Sequence, residues 1–120
     1  MHIMKASLVT TAFLLLAIGP ALAHANLESS VPANAAIVTT APTAIALKFS
    51  EGLELRFSGI TITGPAGLVV PGAATLDPTD NTQLVVPLTT PLAAGTYSID
   101  WHVLSTDGHK TKGSYAFTVK

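Results

Sequence analysis

Short runs in which apolar and polar residues alternate dominate the chain. Ile45, Leu47 and Phe49 alternate with Ala44, Ala46 and Lys48. Leu84, Val86 and Leu88 alternate with Val85 and Pro87. Tyr97, Ile99, Trp101 and Val103 alternate with Ser98, Asp100, His102 and Leu104, and Tyr115, Phe117 and Val119 with Ser114, Ala116 and Thr118. A period of two with a β-branched and aromatic face predicts half-buried strands. Shorter runs at Ile60–Thr63 and Leu68–Val70 predict two more. Between them lie clusters of turn residues, Gly64-Pro65-Ala66-Gly67, Asp77-Pro78-Thr79-Asp80-Asn81 and Pro91-Leu92-Ala93-Ala94-Gly95. No segment carries a helical stripe, and Pro32–Ile37 holds a short turn at best. The expectation is an all-β fold of about seven strands, a Greek-key β-sandwich or small barrel.

The first 23 residues break this pattern. Met1–Lys5 carries one basic residue, an apolar stretch runs from Ala6 to Ile18, and Gly19-Pro20-Ala21-Leu22-Ala23 follows. A basic start, an apolar run, a helix break and Ala at −3 and −1 read as a secretory signal peptide. The run is shorter than the ~20 residues a spanning helix needs. Residues 1–23 are therefore expected to be a cleaved signal peptide and residues 24–120 one exported, soluble domain. Both methionines, Met1 and Met4, fall in the first part, and the chain has no cysteine.

Composition then narrows the function. Charged residues are 11% of the chain and its formal charge is −1, so no basic stripe is available to neutralise nucleic-acid phosphates. Without Cys there is neither a disulfide framework nor a thiolate metal site. Three histidines follow the expected cut: His24, His102 and His109. His24 becomes the first residue, whose free α-amine and imidazole Nδ1 can close a ring on one metal ion. Asp107 and His109, two apart in Ser105-Thr106-Asp107-Gly108-His109, leave an extended backbone on the same face, and Gly108 permits a tight bend. Amine nitrogen, two imidazoles and a carboxylate suit tetragonal Cu(II), and with sulfur absent nothing suits Cu(I). His102 reads as a solvent-side residue of its strand, Trp101 and Tyr97 as core, Asp77 and Asp80 as turn formers. Glu51 and Glu54 flank a bend after Phe49.

Four segments together resemble the CopC family of small periplasmic copper-binding proteins of copper resistance. They are His24-Ala-Asn-Leu-Glu-Ser-Ser-Val-Pro-Ala33, Leu47-Lys-Phe-Ser-Glu51 with Arg56-Phe57-Ser58-Gly59, Pro91-Leu-Ala-Ala-Gly-Thr-Tyr97, and Trp101–His109 closing with Gly113–Lys120. The resemblance implies a cupredoxin-like or Ig-like Greek-key sandwich. It implies one Cu(II) ion held by His24, Asp107 and His109, with Glu51 as an outer-sphere or weak axial group. Some relatives add a Cu(I) site in a Met-rich loop; Ile60–Thr82 here has neither Met nor His. The expected protein is a periplasmic, monomeric copper-homeostasis protein, not an enzyme, that sequesters Cu(II) or delivers it, with a CopD-like membrane protein as a possible recipient. Two alternatives stand beside it. One is a copper-dependent oxidative enzyme using an N-terminal His chelate, as in lytic polysaccharide monooxygenases; the other is a metal-free structural β-sandwich.

Overall fold

The computed structural model describes residues 24–120, so the expected signal segment 1–23 lies outside the described residues. Nine strands form in chain order: β1 (Leu27–Val31), β2 (Ile37–Val38), β3 (Ala44–Phe49), β4 (Gly59–Gly64), β5 (Gly67–Val69), β6 (Thr75–Asp77), β7 (Asp80–Pro87), β8 (Gly95–Leu104) and β9 (Lys110–Val119). One three-residue 3-10 turn, Leu55–Phe57, precedes β4. No α-helix occurs among the described residues. The strands make two sheets, in the orders β1-β3-β7-β6 and β2-β9-β8-β4-β5. All pairings are antiparallel except β2 with β9, which are parallel.

The alternating runs supply the inner faces. Ile45, Leu47 and Phe49 from β3 and Leu84 and Val86 from β7 meet Ile62, Tyr97, Ile99, Val103, Tyr115, Phe117 and Val119 from the other sheet, all buried. Tyr97 stacks on Phe117 at 5.7 Å between ring centroids, and its hydroxyl donates to the Ala93 carbonyl at 2.7 Å. The core thus takes the ring while the polar tip keeps a partner. Trp101 lies half-buried at the edge of the same core, edge-on to Phe49 at 5.1 Å.

Two of the expected turns are tight hairpins. Pro65-Ala66 links β4 to β5 across the pair Gly64↔Gly67. Pro78-Thr79 links β6 to β7 across Asp77↔Asp80, where the Asp77 carboxylate accepts from the Thr79 N–H at 2.8 Å. The count exceeds the expected seven because β1, β2 and β6 are short edge strands. Leu-Glu-Ser-Ser-Val in β1 has no apolar alternation; it is held by pairing with β3 across a bulge between Leu27 and Ser29. The first half of β9, Lys-Thr-Lys-Gly-Ser, is likewise polar and becomes strand by pairing along β8 from Leu104↔Lys110 to Asp100↔Ser114.

Candidate metal centre

The end of the sandwich where β8 turns into β9 collects the candidate ligands. The connection is the five-residue loop Ser105–His109. The Gly108 N–H bonds the Ser105 carbonyl at 2.9 Å, and the Ser105 N–H bonds the His109 carbonyl at 2.9 Å. Gly108 takes φ +91°, a conformation that strains any residue with a Cβ. Asp107 and His109 are therefore brought together by this turn and not by the alternation of an extended strand. His109 Nδ1 stands 3.2 Å from Asp107 Oδ1.

Ser105 organises the loop from below. It is 1% exposed, a polar side chain inside an apolar core. Its hydroxyl donates to Asp107 Oδ1 and contacts the main chain of His109 at 3.2 Å. This bond holds the Asp107 carboxyl below its ordinary pKa; desolvation opposes it, and the His109 imidazole adds a further lowering. Asp107 is thus anionic at neutral pH, with Oδ1 engaged by the loop.

The second half of the site arrives from the other end of the chain. Ala25 is fully buried in the core. Its carbonyl accepts from Thr111 Oγ1 at 2.8 Å. On either side of it Ser50 closes a clamp: Ser50 Oγ donates to the His24 carbonyl at 3.0 Å and accepts from the Asn26 N–H at 2.9 Å, while the Ser50 N–H bonds the Asn26 carbonyl at 2.9 Å. This anchor lays His24 against His109, ring centroids 5.4 Å apart and nearly edge-on at 74°. His24 Nδ1 is buried and has no hydrogen-bond partner. A buried polar nitrogen without a partner is costly in a finished fold, and it is the ring nitrogen that a chelate with the residue's own amine requires.

Among the described residues, no three His, Asp or Glu side chains converge into a ready cage for an ion. The three side chains inferred from sequence therefore meet only in pairs, His24 against His109 and His109 against Asp107; the fourth inferred donor is a terminal amine. Glu51 lies on the loop after β3. That loop is tied to the candidate site by main chain, through Thr106 N–H to the Gly52 carbonyl at 2.9 Å and a bridge between Leu53 and Ser105. His102 is on the solvent side of β8, opposite Gly59 and Lys112. Ser50, Ser105 and Thr111 were not singled out from the sequence. Only Ser105 left a local signal there, as a hydroxyl two residues before an aspartate that it can bond.

Residues 27–120 match the family model for the CopC domain. The chain is 54% identical over 99 residues to Protein YobA of Escherichia coli, covering 82% of this chain and 80% of that one. It is 40% identical to a Copper resistance protein C of Escherichia coli over the full length of both. Among solved structures it is similar to CopC from Methylosinus trichosporium, with a TM-score of 0.74 and 34% identity over 81% of this chain and 94% of that one. It is also similar to PcoC from Escherichia coli, described as a methionine-rich copper resistance protein, with a TM-score of 0.73 and 39% identity over 82% of this chain and all of that one.

Proposed function

The chain belongs to the CopC family, a family of copper resistance proteins and not of enzymes, and on that premise we propose that it is exported, trimmed after Ala23, and binds one Cu(II) ion through its new terminus. The observation that carries this reading is the buried, partnerless Nδ1 of His24 lying beside His109. Cleavage supplies the missing donor, since the α-amine it frees sits on the same residue as that nitrogen. Amine and Nδ1 of His24, the His109 imidazole and the Asp107 carboxylate then make up the ligand set. With Nδ1 of His109 turned towards Asp107, Nε2 is the nitrogen left to reach the ion. Asp107 keeps Oδ2 for the metal while Oδ1 stays with Ser105. Glu51, on the loop tied to the site by main chain, takes an outer position.

Specificity for Cu(II) follows from what the domain lacks. Residues 24–120 contain neither Met nor Cys, so no soft donor is available to stabilise Cu(I). The protein therefore sequesters Cu(II) or delivers it without a paired Cu(I) site, as a monomer in the periplasm, with a CopD-like membrane protein as the recipient in the delivery case. No helix among the described residues is long and apolar enough to cross a membrane.

The test is titration of the secreted protein with Cu(II), read by electron paramagnetic resonance. One tight site with nitrogen-dominated equatorial ligation is expected, and Asp107→Ala with His109→Ala should abolish it. Placing one extra residue before His24 removes the amine from chelate range and should weaken binding at least 100-fold, about 2.7 kcal/mol. Equal affinity in the extended protein, or terminal sequencing of the secreted product that begins at another residue, refutes the terminal chelate. Protons compete with the ion for the amine and the imidazoles, so affinity should fall on acidification.

A further inference from the structure

The acidic domain concentrates its few cations in one place. Residues 24–120 contain five Lys and Arg against seven Asp and Glu. Three of the five, Arg56, Lys110 and Lys112, line a single cleft of about 590 Å³, together with Phe57, His102 and Val103. Lys48 is elsewhere, paired with Asp80 at 2.8 Å. Among the described residues, Arg56, Lys110 and Lys112 form no ion pair. Of the acidic groups around the cleft, Glu54 stands two residues before Arg56, Asp107 three before Lys110, and Asp100 borders the adjoining surface with His102 and Lys112.

The cleft is apolar as well as cationic. Phe57 is 54% exposed on its 3-10 turn, with the Arg56 guanidinium 5.5 Å from the ring centroid. Arginine beside an exposed aromatic is the composition of interface hot spots and not of an ordinary solvated face. The spacing of the lysines fits an extended ligand. Lys110 and Lys112 lie two residues apart on β9, opposite Leu104 and His102 of β8. Two residues of strand span roughly 7 Å, so each lysine can take a carboxylate of its own. The same distance separates alternate side chains of an extended peptide. The cleft also opens beside the candidate metal centre, since Lys110 follows His109 and Thr111 holds Ala25.

We propose that this cleft docks an extended acidic segment of a partner protein. Carboxylates at alternate positions pair with Lys110 and Lys112, and an apolar side chain between them packs on the exposed Phe57 ring. The site needs no copper, so its test is made on metal-free secreted protein and stands or falls separately from the metal assignment. The probe is an acetylated peptide alternating glutamate with leucine, added to 15N-labelled protein. Shifts should centre on Arg56, Phe57, His102, Lys110 and Lys112, and affinity should fall about tenfold between 50 and 300 mM salt. The pair Lys110→Glu and Lys112→Glu should remove binding, and the milder pair Lys110→Gln and Lys112→Gln should weaken it at least fivefold with the β-sheet circular dichroism unchanged. Equal shifts from a glutamine–leucine peptide, shifts centred elsewhere, or unchanged binding in the glutamine pair would overturn the proposal. So would citrate matching the peptide at equal concentration, which marks a site for isolated anions, or selective co-sedimentation with phosphatidylglycerol vesicles while the peptide fails, which marks a membrane surface.

Discussion

Replacing Thr111 by Val keeps the shape of the side chain and deletes one donor. The hydroxyl it removes bonds the carbonyl of Ala25 at 2.8 Å, and Ala25 is fully buried. The bond is part-buried and Thr111 also lines the cleft, so water partly replaces the donor and the loss is that of one net hydrogen bond, about 1–1.5 kcal/mol. The cost falls on the docked terminus and spares the β8–β9 ladder, whose bonds are main-chain. If docking of residues 24–26 is what sets His24 beside His109, the cost is transferred to copper affinity, up to about tenfold at 1.4 kcal/mol. Because the anchor belongs to the same cooperative core, the melting temperature of the metal-free protein should also fall, by roughly 5–10 °C. Cu(II) competition titration and thermal unfolding monitored by circular dichroism read the two effects. Thr96→Val is the control, since Thr96 bonds Thr118 on the exposed surface near the far end of β8. It should leave affinity unchanged and stability within about 0.5 kcal/mol. A Thr111→Val protein with native copper affinity and native melting temperature would refute the anchor. Native affinity with a lowered melting temperature would separate the anchor from the metal site and refute the link between them.

Three further outcomes follow from single contacts. Ser105→Ala removes the largest influence holding the Asp107 pKa down, so the carboxyl should titrate closer to the ordinary ~3.9; carboxyl-detected NMR of the metal-free protein reads it, and an unchanged midpoint contradicts the loop geometry. Asp80 is held down to about 2, first by the Lys48 ammonium and then by Thr82. A depressed carboxylate stabilises the fold fully above its unfolded pKa and loses that contribution as pH falls from about 4 through about 2; Lys48→Met should move the Asp80 midpoint upward and flatten the acid-unfolding curve in that window. At Gly113 a Cβ would stand 2.5 Å from Cζ2 of Trp101 and 2.8 Å from Cε2, so Gly113→Val should displace the indole, lower stability by about 1–3 kcal/mol and red-shift the fluorescence of this single tryptophan.

The long strands were readable because each buries one face. Ile45–Phe49, Leu84–Val86, Tyr97–Val103 and Tyr115–Val119 carry their inward positions as an apolar period of two, and all four lie in the observed sheets. Of the edge strands, β5 showed through the apolar run Leu68–Val70, while β1, β2 and β6 were not readable. An edge strand has little to bury, and its main chain is ordered by a neighbour's hydrogen bonds, which leave no mark on its own residue types. The candidate ligands divide in the same way. Asp107 and His109 are neighbours in the chain, and their glycine-containing spacing announced a turn. That His24 would lie against His109 was a matter of chemistry and family likeness at the sequence level.

What the sequence determined alone is therefore local: the alternation that makes strands, the residues that make turns, and a donor set without sulfur. The tertiary structure decided which distant segments meet. Ser50 lies 26 residues from His24, and Thr111 lies 86 residues from Ala25. No periodicity or composition encodes such pairings, because each is one hydrogen bond whose geometry exists only after both sheets have closed over the core.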